Sequence, residues 1–88
     1  MPDTKTMTVE IVIDEDDART EARARIQVRD REFAGWGRAR RNPSDPNVPL
    51  VGEELAVARA LSELSHQLVG AAADAIEQFE GHPVSLHG

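Results

Sequence analysis

Eighty-eight residues with a formal charge of −6 and no cysteine make one domain and leave no room for two. Without cysteine, a disulfide framework and thiolate metal sites are excluded, and no apolar run approaches the roughly 20 residues of a membrane-spanning helix. The polar opening Pro2-Asp3-Thr4-Lys5-Thr6 lacks the apolar stretch of a secretion signal, so a soluble, cytoplasmic protein is expected. Small domains without staples often recruit a second copy, and a homodimer is expected here. The charge is unevenly spread. Arg19 to Arg41 holds eight arginines against three acids, and the rest holds Lys5 and Arg59 against thirteen acids. An acidic whole disfavours non-specific nucleic-acid binding, although a basic sector still acts within about 10 Å.

Met7, Val9, Ile11 and Ile13 alternate with Thr8, Glu10 and Val12, which predicts a half-buried strand from Met7 to Ile13. Asp14-Glu15-Asp16-Asp17 is read as a solvated acidic turn. An EF-hand calcium loop would need a glycine at its sixth position and a terminal glutamate, and neither stands there. Alternation resumes at Thr20, with Ala22, Ala24, Ile26 and Val28 inward and Glu21, Arg23, Arg25, Gln27 and Arg29 outward. A turn at Asp30-Arg31 leads to a third strand, Glu32 to Arg40. If Val28 faces Phe33, then Ile26 meets Gly35, Ala24 meets Gly37 and Ala22 meets Ala39, as one buried face requires. On the outer face this register sets Arg25 opposite Trp36, Arg23 opposite Arg38 and Glu21 opposite Arg40. A cation–π contact between Arg25 and Trp36 would contribute about 0.5–1 kcal/mol. Arg23 against Arg38 is unfavourable unless an anion or partner covers the face.

The loop Asn42 to Pro49 contains three prolines, which forbid a regular element. A helix is then expected from Glu53 to Glu80, with Gly52 as N-cap and Glu53 and Glu54 in its first turn. Its stripe is read as Leu55, Ala58, Leu61, Leu64 or Ser65, Leu68 and Ala72. Gly35, Gly37 and Ala39 let a helix approach the sheet backbone closely. A helix of this length overhangs the strands, unless it breaks at Gly70. In either case Ile76 and Phe79 need a surface to bury them. Residues 1–6 are expected to be disordered, 7–81 to form one domain and 82–88 a flexible tail.

The catalytic inventory is thin. Ser65 and His66 are neighbours on a helix, about 100° apart, and cannot form a nucleophile–base pair. His82 and His87 show no metal-ligand spacing, and Gly35-Trp36-Gly37 lies within a strand rather than at a phosphate-binding turn. No enzyme, cofactor, metal or small-molecule substrate is expected. What remains is the outer sheet face, with Arg23, Arg25, Arg29, Arg38 and Arg40 around Trp36. Arginines on phosphates and a tryptophan on a base would serve nucleic-acid contact; a solvated or dimer-covered sheet face has the same composition.

The run Ala39-Arg40-Arg41-Asn42-Pro43-Ser44-Asp45-Pro46-Asn47-Val48-Pro49, followed by Gly52-Glu53-Glu54-Leu55-Ala56-Val57-Ala58-Arg59-Ala60-Leu61, resembles the signature of a small actinobacterial domain-of-unknown-function family. Its mycobacterial members are linked to hypoxia and dormancy. The likeness extends from about Thr8 to Phe79. It implies an α+β fold like that of double-stranded-RNA-binding domains, and a likeness to ribosome hibernation promoting factors, which dock on the small ribosomal subunit. No catalytic residues follow from it.

The expected architecture is α+β: a three-stranded antiparallel sheet, order 1-2-3, with a long or broken C-terminal helix on one face. Two functions are carried forward. One is a stress- or dormancy-associated factor bound to the ribosome or RNA. The other is a homodimeric protein-interaction module that binds no nucleic acid.

Overall fold

Among the described residues, three strands and one helix follow in chain order: β1 (Val9–Glu15), β2 (Arg19–Val28), β3 (Arg31–Arg40) and α1 (Pro49–Glu80). The computed structural model describes residues 3–40 and 49–81. The strands form one antiparallel sheet in the order β1-β2-β3, and α1 packs across β2 and β3. The proline loop, Arg41 and the tail expected over 82–88 lie outside the described residues.

β1 runs further than expected. Asp14 pairs with Glu21 and Glu15 with Thr20, so the acidic run does not end the strand. The turn is made by Asp16, whose Oδ1 accepts from the backbone N–H groups of Ala18 at 2.8 Å and Arg19 at 2.9 Å. A carboxylate that captures two amides ahead of it closes the chain locally.

The β2–β3 register differs from the expected one by two residues. Ile26 pairs with Phe33, Ala24 with Gly35, Ala22 with Gly37 and Thr20 with Ala39. The expected register needs a four-residue loop, whereas the chain turns in two, Arg29 and Asp30, with Arg29 at φ 58°. A left-handed arginine costs about 1–2 kcal/mol. The tighter turn adds the pairs Val28 to Arg31 and Gln27 to Glu32, and their ladder bonds offset that cost. An even shift keeps every side chain on its expected face.

α1 begins at Pro49, where a proline needs no backbone donor. Gly52 is therefore inside the helix rather than its N-cap, and Glu53 and Glu54 lie beyond the first turn. A Cβ at Gly52 would come within 2.9 Å of Thr20 Oγ1. The helix is continuous through Gly70 and ends at Gly81, whose φ of +78° and N–H to the Glu77 carbonyl at 2.7 Å form a glycine C-cap.

The buried face of α1 shares only Leu64 and the partly buried Leu68 with the expected stripe. Ala56, Ala60 and Leu64 are buried, while Leu55, Ala58 and Leu61 are exposed. Two periodicities set this. Four helical residues rise about 6 Å, and two strand residues rise about 6.7 Å. The row Gly52, Ala56, Ala60, Leu64 therefore runs alongside Thr20/Ala39, Ala22/Gly37 and Ala24/Gly35, with Ile26, Phe33, Val57 and Leu68 packed partly buried against this core. A Cβ on Gly37 would collide with the Ala56 carbonyl and the Ala60 amide, and one on Gly35 with the Ala60 carbonyl and the Leu64 amide. Beyond Ala72, level with the last pair Val28/Arg31, the helix overhangs the sheet, and Phe79 is 93 % exposed.

Gly37→Ala sets a methyl against helix backbone and should cost about 3 kcal/mol. Gly70 has nothing within 4 Å of a built Cβ, so Gly70→Ala should stabilise by about 0.5–1 kcal/mol. Urea unfolding of the two variants beside wild type checks the pair, and similar midpoints would contradict the close packing.

Candidate functional site: the outer face of the sheet

Strand alternation places Glu10, Val12 and Asp14 of β1, Arg19, Glu21, Arg23 and Arg25 of β2, and Glu32, Trp36, Arg38 and Arg40 of β3 on the face away from α1. Arg23, Arg25, Trp36, Arg38 and Arg40 thus share the expected face. Arg29 does not. It leaves β2 for the hairpin turn, where its carbonyl accepts from Gln27 Nε2 at 3.2 Å.

The register decides the neighbours. Arg23, rather than Arg25, sits opposite Trp36, and its guanidinium lies 5.4 Å from the ring centroid. Arg38 sits opposite Glu21, not Arg23, and the two form an ion pair at 3.0 Å. Glu21 also takes Arg19 at 3.4 Å. Arg25 bonds Glu10 at 2.7 Å and lies 3.8 Å from Glu32. The expected arginine–arginine repulsion is thereby replaced by a lattice of paired charges. Each exposed pair contributes about 0.2–1 kcal/mol. At the far end Arg19 stands opposite Arg40, so three arginines surround Glu21 there.

Trp36, 56 % exposed, projects from the middle of the lattice beside exposed Val12. Beside them is a depression of about 80 Å³ lined by Val12, Asp14, Glu21, Ala22, Arg23 and Trp36. Arg23 Nε is buried there without a hydrogen-bond partner among the described residues. Sequence reasoning placed Glu21 on this face but opposite Arg40 rather than Arg38, and it did not find the Glu10–Arg25 pair. The outward position of Glu10 was legible in the alternation, but its cross-strand neighbour needed the β1–β2 register.

Two carboxyls at the rim are shifted. The backbone N–H groups of Ala18 and Arg19 hold Asp16 below the usual carboxylate range. Glu15 is pushed up by lost hydration and by the Glu53 carboxylate, with which it shares a hydrogen bond. The end of β1 thus meets the helix as two facing carboxylates, which repel when both are ionised.

The comparisons with known proteins cover nearly the whole chain. The family model described as Rv2632c-like matches residues 5–85. The uncharacterized protein Mb1767 of Mycobacterium bovis is 46 % identical over 79 residues, covering 90 % of this chain and 84 % of that protein. The uncharacterized protein Rv2632c of Mycobacterium tuberculosis is 43 % identical over 84 residues, covering 94 % and 90 %. A crystal structure of Rv2632c superposes with a TM-score of 0.85 at 40 % identity, over 93 % of this chain and 98 % of that one.

A depressed carboxyl stabilises above its unfolded pKa and loses that stabilisation as pH falls through the folded value, while a raised one loses it as pH rises. Asp16→Asn should therefore flatten the acid limb of stability below the ordinary value of 3.8. Glu53→Gln should raise the urea midpoint at neutral pH and leave it unchanged once Glu15 is protonated. Midpoints measured across pH test both signs.

Proposed function

The chain belongs to the Rv2632c-like family, and from that premise we propose that it is a non-enzymatic, homodimeric binding protein that engages a protein partner through the outer face of its sheet. The observation that carries this reading is the pairing of the arginines. Arg19, Arg25 and Arg38 already hold carboxylates and Arg23 lies over Trp36, so phosphates would have to displace partners that the fold supplies. What the face offers instead is an exposed tryptophan among arginines within a polar rim, the composition of a protein-binding hot spot. At about 80 Å³ the depression is well below the roughly 300 Å³ of small-molecule clefts, in keeping with a role other than catalysis.

A second reading rests on the arginine-rich end of the same face. Arg19, Arg38 and Arg40 gather there beside Glu21, Asp14 and Asp16, and Arg40, in no ion pair with a described residue, would accept an anion. On this reading the protein is a stress- or dormancy-associated factor on the ribosomal small subunit or RNA, as the likeness to hibernation factors and double-stranded-RNA-binding domains implies.

Immobilised protein in lysate of its host cell, with and without nuclease, separates the two. Nuclease-resistant capture that Trp36→Ala reduces at least tenfold supports the protein partner. Nuclease-sensitive capture of small subunits, falling steeply between about 50 and 200 mM salt, supports the second reading. Capture indifferent to Trp36→Ala contradicts the first.

A further inference from the structure

The apolar side of β1 lies open. Val9, Ile11 and Ile13 point to the helix side of the sheet through their pairing with Ile26, Ala24 and Ala22, yet α1 crosses β2 and β3, and each of the three stays 38–39 % exposed, with Met7 at 47 %. The rotation of α1 extends this surface. Arg59 reaches over β3 to the Arg38 carbonyl at 2.6 Å, and Glu53 reaches Glu15 at the end of β1. At 100° per residue the flank on the β1 side then carries Leu50, Leu61, Leu68 and Phe79, of which Leu50, Leu61 and Phe79 are exposed. The outer edge of β1 pairs with no strand among the described residues, whereas on β3 Arg59 occupies the Arg38 carbonyl. An open edge beside an uncovered apolar face is a template for another strand.

We infer that β1 is the self-association edge, pairing antiparallel with β1 of a second copy about a two-fold axis at Ile11, and this rests on the homodimer reading above. A second copy fits this edge because one register sets apolar inward residues against each other and opposes no like charges. Self-pairing must keep inward residues opposite inward residues, which leaves offsets that differ by two. Centring on Glu10 sets Glu10 against itself, and centring on Val12 sets Glu10 against Asp14. Like charges directly opposite are unfavourable. Centring on Ile11 sets Val9 against Ile13, Glu10 against Val12, Thr8 against Asp14 and Met7 against Glu15, with no opposed charges along nine residues. The result is a continuous six-stranded sheet with both helices on one side. The Leu61 and Leu68 flanks then border one trough floored by Val9, Ile11 and Ile13 of both copies, and the outer face with Trp36 is left free for its partner.

The chain has no cysteine, which gives the register a clean test. Opposed residues in an antiparallel pair have Cα atoms about 4.5–5.5 Å apart, within disulfide reach. Under mild oxidation Ile11→Cys should run as a covalent dimer on a non-reducing gel, and Ile13→Cys should cross-link only when mixed with Val9→Cys. Sedimentation should give twice the 9.6 kDa chain mass for wild type. Ile11→Lys should give a monomer, with circular dichroism confirming its fold. Wild type that stays monomeric at hundreds of micromolar overturns the homodimer reading together with this one. A wild-type dimer in which Ile11→Cys fails to cross-link overturns the β1 edge alone, as does a folded Ile11→Lys variant that remains dimeric.

Discussion

The architecture depends on how closely α1 lies against β3. Gly35 and Gly37 leave no room for a Cβ, and the helix answers with Ala56, Ala60 and the backbone at Leu64. That contact fixes the distance, the rotation and the lateral position of the helix together. Because the glycines stand in β3, the helix settles over β2 and β3. A row of bulky residues there would lift it and centre it on the sheet. The uncovered β1 is thus a direct consequence of two missing side chains.

The same contact explains the make-up of the core. Its buried members are Ala22, Ala24, Ala39, Ala56, Ala60 and Leu64, and burying a methyl contributes only about 0.8 kcal/mol. Apart from Leu64, the larger apolar side chains of the described residues, Ile11, Ile13, Leu61 and Phe79 among them, stay at least partly in water. A domain this small, whose bulkiest apolar groups are outside its own core, gains stability from a surface that covers them.

Much of this was legible in the sequence. Period-two alternation gave three strands and the correct face for their residues except Arg29, which turns out of β2, and the glycine row announced a close-packed helix. Parity does not give register. The cues that fix a two-residue hairpin are Asn-Gly or Asp-Gly, and this chain turns on Arg29-Asp30, an arginine in the left-handed region. The two-residue error moved Arg23 from Arg38 to Trp36, and changed an apparently repulsive basic face into paired charges. The helix stripe was misread for a related reason. Leucines attract attention as core residues, but opposite glycines the complementary residues are alanines. The run Asp14 to Asp17 looked like a strand stop because four carboxylates repel; in the fold Asp14 and Glu15 remain in the ladder, and Asp16 closes the turn.

Native-state amide hydrogen exchange, read residue by residue at low and high protein concentration, tests the central claim most directly. Close packing at the glycine row predicts the strongest protection in β2, the adjoining amides of β3 and helix residues 56–68. It also predicts weak protection in the overhang beyond residue 72. The outward amides of β1 should exchange fast in dilute solution and slow as concentration rises. Equal protection of β1 and β2 in dilute solution, or faster exchange at 56–64 than at 72–80, would contradict a fold organised around the glycine–alanine contact.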